Sequence, residues 1–215
     1  MSYGVYLTTT DGRPFITPES TPVSLLTKVT ASGNGSASTT VSVDTSLVNI
    51  PFILSDAPAF VGVGYGANQL TVSAHRMDDS GGAVNLQAYI FSVVPPALPK
   101  WGIALWDATG KCILTNETRV LRDVTTIGSK GDDSAGININ QSIAGKWAIM
   151  PDIAGYLYGV YQQAPIVIVQ GFYAQYNGAS TQVSSVLASS IPTGTQGSIT
   201  NSKNSIRAID ASLYD

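Results

Sequence analysis

Apolar and polar residues alternate along this chain in short runs, and no segment carries a convincing helical period. Tyr3, Val5 and Leu7 alternate up to a Thr10-Asp11-Gly12-Arg13 turn, and Phe15-Ile16 begins a return. Asp-Gly between two strand-like runs predicts a β-hairpin, because glycine reaches positive φ at no steric cost. Pro22 opens a further strand through Leu25, Lys28 and Val29. After a loop at Ser32-Gly33-Asn34-Gly35-Ser36, the pattern predicts strands at 40–44, 50–54, 59–65, 69–75 and 84–93. Turn signals every ~8–12 residues are the spacing of a β-sandwich or small barrel. The predicted fold class is all-β.

The opening hairpin occurs twice. At an offset of 98, residues 3–26 align without a gap on residues 101–124. Gly4/Gly102, Leu7/Leu105, Gly12/Gly110, Thr17/Thr115 and Glu19/Glu117 are identical, and both glycines keep their place in the turn chemistry. Further on the offset becomes 96, putting Ile53 on Ile149, Phe60 on Tyr156, Tyr65 on Tyr161 and Val72 on Ile168. Strand periods kept while a loop changes length predict two copies of one β module. Val94-Pro95-Pro96-Ala97-Leu98-Pro99 reads as a stiff connector between them. The expected organisation is two tandem, related antiparallel β-sandwiches, 1–97 and 98–188. An extended C-terminal arm, 189–215, follows; its sparse Ile206, Ile209 and Leu213 favour docking over disorder.

Charge narrows the function classes. Only 12% of residues are charged, against roughly 25% in an average soluble domain. Just two of the 14 acidic residues are Glu, Glu19 and Glu117, where a protein with surface helices would carry many. A net charge of −3 with no basic run gives no case for nucleic acid. The apolar region 47–70 is broken by Pro51, Asp56 and Pro58, so no membrane span is expected. Met1-Ser2-Tyr3 leads directly into a strand, without the basic and apolar regions of a secretory signal.

Candidate chemistry is sparse. His75 is the one histidine and Cys112 the one cysteine. Neither has a nucleophile motif around it, and Cys112 aligns with Pro14 of the first copy; no catalytic residue is assigned. Asp78-Asp79-Ser80-Gly81-Gly82 and Asp132-Asp133-Ser134-Ala135-Gly136 could offer hard oxygens to Ca²⁺, but neither fits an EF-hand loop. Both read as ordinary turns, and neither a metal site nor a cofactor is expected. Aromatic residues of the second copy make the best candidate surface for a protein or glycan partner: Tyr158, Phe172, Tyr173 and Tyr176.

The pattern Trp101-Gly102-x-x-Leu105-Trp106-Asp107-x-x-Gly110-Lys111-x-Ile113-Leu114 is similar to short β modules in tail-tip and tail-fibre proteins of siphophage-type bacteriophages. The first 22 residues resemble the start of a group of phage tail proteins about as long as this chain. The resemblance implies a non-enzymatic structural component of a phage tail, attached to the distal tip or central fibre, and localised in the virion after synthesis in the host cytoplasm. It implies other tail proteins as partners and a homo-oligomer, with a trimer expected from the threefold symmetry of such tips. Two alternatives stand beside it. One is a receptor- or glycan-binding module that uses the second-copy aromatics. The other is a glycan hydrolase, which would need two convergent carboxylates.

Overall fold

The computed structural model describes residues 21–77, 81–107 and 109–215, with the backbone also of 7–8 and 14–16. Among the described residues the chain is all-β; its only helical pieces are two 3-10 turns, Gly136–Asn138 and Ala211–Tyr214. The first repeat forms a small hairpin, β1 (Leu7–Thr8) with β2 (Pro14–Ile16). Then come β3 (Ser24–Asn34), β4 (Ser36–Ser42), β5 (Asn49–Ser55), β6 (Ala59–Gly66), β7 (Gln69–Arg76) and β8 (Ala83–Ser92). The second repeat opens with a hairpin of β9 (Ala104–Trp106) and β10 (Cys112–Thr115), followed by β11 (Thr125–Ile127), β12 (Asn140–Ala144) and β13 (Trp147–Ile149). The long strands β14 (Ile153–Tyr161), β15 (Ala164–Tyr176) and β16 (Ser180–Leu187) precede β17 (Gln196–Asn201) and β18 (Ile206–Asp210).

The two hairpins share one register. Leu7 faces Ile16 and Thr8 faces Pro14, while Leu105 faces Leu114 and Trp106 faces Cys112. Each pairing is the other shifted by 98, and both ladders carry a register irregularity at the same step. In the second copy Asp107 closes the turn. Its Oδ1 accepts from the Thr109 and Lys111 backbone N–H groups at 2.8 and 2.9 Å, while Gly110 takes φ 84°. That is an Asx-type turn, which explains the Asp-x-x-Gly-Lys spacing.

Beyond the hairpins the repeat does not set the strand order. β6–β7 and β14–β15 are both hairpins with two-residue turns, at Ala67-Asn68 and Gln162-Gln163. Yet β7 lies between β4 and β6, whereas β15 lies between β14 and β16. The turns themselves are 95 residues apart, one fewer than the sequence offset of 96. Residues 137–140, aligned with a predicted strand, instead begin as a 3-10 turn.

Nor does the boundary near 97 divide the core. β5, from the first half, pairs along its length with β8, then bridges to β13 at Ile53–Ile149 and to β15 at Ser55–Gln175. One eleven-stranded sheet therefore spans both halves, with a three-stranded sheet β4-β7-β6 beside it. Ala59, Val61, Leu70, Val72 and Ala74 of the small sheet belong to the same buried cluster as Ile53, Ile90, Ile149 and Phe172. Phe52 to Ser55 are all buried, as a strand covered on both faces requires.

The predicted loop at 32–36 is a sheet corner. β3 runs to Asn34 in the large sheet, Gly35 turns at φ 71°, and β4 continues in the small one. A Cβ on Gly33 would sit 2.1 Å from the Ser36 carbonyl oxygen, so the bend needs glycine there.

The C-terminal arm is part of this fold. β17 extends the sheet beside β14, and β18 inserts between β11 and β13. Ile206, Ala208, Ile209, Ala211 and Tyr214 are buried, while Leu213 is exposed. An arm read from its sparse large apolar residues docks on its own chain, because alanine and one tyrosine supply much of its buried face. Asp215 then ties four places together: it accepts from Lys28 at 2.6 Å, Lys146 at 2.7 Å and Tyr89 at 2.6 Å, and its carbonyl oxygen accepts from Arg119 at 2.9 Å.

Candidate functional site

Strand alternation decides which second-copy aromatics reach solvent. On β15, Phe172 and Ala174 point to one face and are fully buried in the core cluster. Phe172 thus offers nothing to a partner, which corrects its place among the candidate binding residues. Tyr176, on the same face, packs half-buried against the core, its hydroxyl donating to the Gly178 carbonyl at 2.7 Å. Tyr173 lies on the opposite face, half-buried. Tyr158 sits opposite Val167 and is 47% exposed. By alternation Tyr173 shares the Val167 face, but six residues separate the two, about 20 Å along a strand. Phe60 intervenes, since a Cβ on Gly171 would meet its ring at 2.7 Å. The four predicted residues do not converge on one site.

What does converge is a surface around Tyr158. Tyr156 and Tyr158 lie with ring centroids 5.8 Å apart at 37°. Val160 and Val167 are exposed beside them, and Val169, opposite Tyr156, continues the face. Val169 also lines a groove of about 520 Å³ whose other walls include Phe60, Val63 and Tyr65 of β6 and Met150 and Ile153. Among the described residues β6 pairs with β7 alone, so no strand covers its second backbone edge. Asp152 is the one charged residue lining the groove, and its Oδ1 accepts from the Ile153 N–H at 2.7 Å. Partial burial raises the Tyr65 phenol above its ordinary value, and its hydroxyl donates to the Asn49 carbonyl at 3.1 Å.

A second apolar surface lies on the β9–β10 hairpin, where Leu98, Trp101, Ile103 and Trp106 are all exposed. Gly102 holds this end in shape. It sits at φ 133°, and a Cβ there would fall 2.0 Å from Asn116 Oδ1, the atom that accepts from the Ile103 N–H at 3.0 Å. The two tryptophans stood in the repeat motif from the start, but only the free-standing hairpin shows them outside the core.

Polar chemistry is dispersed. Among the described residues no three His, Cys, Asp or Glu side chains gather as a metal site would require. His75 is exposed on β7, and the partly buried Cys112 thiol donates to the Leu114 carbonyl at 3.7 Å. Asp133 pairs with Lys203 at 2.5 Å, and its hydrogen bond from that lysine holds the carboxyl below its usual range. Asp78 and Asp79 lie outside the described residues. Residues 153–202, which supply most of this surface, contain no Asp, Glu, Lys, Arg or His. No helix among the described residues is long and apolar enough to cross a membrane. No protein-family model, no curated protein and no solved structure matches the chain.

Proposed function

We propose that this chain is a non-enzymatic structural component of a bacteriophage tail, associated with the distal tip or central fibre, and that it works by assembly with other tail proteins and with its own copies. The tail assignment rests on the resemblance of the Trp101–Leu114 motif. The observation that carries the assembly role is the apolar surface of β14, β15 and the β6 groove, to which Asp152 contributes a charge. Soluble monomers rarely leave contiguous apolar patches of this kind exposed, because water penalises them. Few charges suit long-lived packed contacts, where each buried charge would need a partner.

The tilted, partly exposed Tyr156–Tyr158 pair favours a second reading, a receptor- or glycan-binding module. Flat aromatic faces with polar tips are suited to stacking on sugar rings. Immunogold labelling of virions with antibody against this chain tests the first reading. Label at the tail tip or fibre is expected, and label on capsids only, or none, would refute it. A glycan-array screen with Tyr158→Ala as control tests the second.

A further inference from the structure

Among the described residues the sheet ends at β17, and no strand pairs with its outer edge. Ser202 N–H donates to the Ala154 carbonyl at 3.0 Å, and the same ladder puts Thr200 opposite Tyr156 and Ser198 opposite Tyr158. Hydrogen-bonded pairs alternate along an antiparallel ladder, so Thr200, Ser198 and Gln196 turn their backbone groups toward β14. Gly197 and Ile199 therefore turn theirs outward, where β17 has no second strand among the described residues. Gln196 to Thr200 are all exposed. Native edges are usually guarded by a charge, a proline or a covering loop. β17 carries no charge and no proline, and it lies within the fifty-residue stretch that has no charged side chain.

We propose that β17 is a self-pairing edge, joining two copies of this chain antiparallel about a twofold axis through Ser198. The geometry requires only what β17 contains. With the axis at Ser198, Gly197 of one copy faces Ile199 of the other, and these two outward-facing pairs exchange four backbone hydrogen bonds. Gly197 lies beside Gly159 on β14, so the Ile199 side chain of one copy meets a strip of its partner that has no side chains. Ile199 is 49% exposed in the single chain, which leaves apolar area to bury there. An edge without charge meets its own copy without like-charge repulsion, whereas a charged partner strand finds no counter-ion on it. The two sheets become one continuous sheet through the pair. This goes beyond the tail assignment and stands or falls without it.

Sedimentation equilibrium and amide hydrogen exchange on the full chain test the pairing. The expected mass at high concentration is twice 22.4 kDa. The Gly197 and Ile199 amides should gain protection as concentration rises, while the Ser198 and Thr200 amides, already bonded to β14, should change little. Ile199→Lys places two like charges across the axis and should weaken association roughly tenfold or more, the effect of about 1.4 kcal/mol. Val124→Lys, exposed beside β11 at the opposite end of the strand order, should leave the association constant within about threefold of wild type, and circular dichroism should show both variants folded. A monomer at all concentrations overturns the proposal, as does a trimer, which a twofold edge cannot make. A dimer whose Gly197 and Ile199 amides exchange at the monomer rate, or that ignores Ile199→Lys, overturns it too.

Discussion

Replacing Tyr214 by alanine measures how firmly the C-terminal segment belongs to the core. Tyr214 is 2% exposed and meets Phe91 edge-to-face at 4.8 Å and 85°, with Tyr89 at 6.4 Å. Removing a buried aromatic side chain costs about 3–5 kcal/mol through lost transfer energy and the cavity it leaves. The T-shaped contact lies within that figure, at about 0.5–1.5 kcal/mol. The hydroxyl adds a separable part, because it accepts from the Arg122 N–H at 3.0 Å. Tyr214→Phe keeps the ring and loses this acceptor together with the hydroxyl's donation to the Val120 carbonyl at 3.3 Å, so it should cost about 0.5–1.5 kcal/mol. Against a total stability of about 5–15 kcal/mol, Tyr214→Ala removes a large share and Tyr214→Phe a small one. Urea unfolding followed by circular dichroism and tryptophan fluorescence reads both as shifts of the midpoint at unchanged slope. A Tyr214→Ala protein within about 1 kcal/mol of wild type would refute the reasoning, since no buried aromatic anchor is so cheaply lost.

Four further outcomes follow from the same packing. Truncation after Ala188 removes β17, β18 and five buried side chains, and should yield an unfolded or aggregated product by circular dichroism and light scattering. Burial acts to raise the Asp215 carboxyl, but hydrogen bonds from Lys146, Lys28 and Tyr89 outweigh it and hold the group well below the carboxylate range. Its contribution is therefore fully present above the ordinary Asp value of 3.8 and is lost as pH falls through the lower folded value. Asp215→Asn should cost about 1 kcal/mol at neutral pH, modest because the side chain is partly solvated, and the difference from wild type should shrink in acid-unfolding curves below that value. Gly102→Ala should raise amide exchange at Ile103 sharply, with a local cost of about 1–3 kcal/mol and little change in the global melt. His75→Ala and Cys112→Ser should melt within experimental error of wild type, a shift of several degrees being the contrary result.

Local features of the fold were legible from local pattern. The shared register of the two hairpins follows from paired glycines and an Asp-closed turn, both determined by residues within a few positions of one another. β6, β7 and β8 follow from alternation with turn residues between them. The neighbours of each strand were not legible, because pairing of β5 with β13 and β15 joins residues about 100 positions apart and leaves no mark on either segment. Parity explains the errors at the candidate site. Tyr158 and Phe172 are both candidate partner residues in the sequence, yet one faces solvent and the other the core. Only the pairing of β14 with β15, and of β15 with β16, decides which. The arm docks, as Ile206 and Ile209 suggest, but its depth in the core was not legible, because Ala208 and Ala211 look neutral in sequence and are fully buried.

The internal repeat and the single core then have a common physical explanation. A hairpin whose turn is closed by its own Asp and Gly can be copied and remain a hairpin wherever it lands. A sandwich cannot, because each of its strands needs a particular neighbour on either side. The strands that follow the second hairpin take neighbours from both halves, β13 on β5 and β18 on β13, and bury their apolar faces in a core that already exists. That leaves the distal ends of β14, β15 and β17 extending past the core with apolar side chains exposed. Aggregation would be the ordinary cost of such an extension. In a chain that has placed no charge across those fifty residues, the ordered pairing of β17 proposed above is the alternative to it.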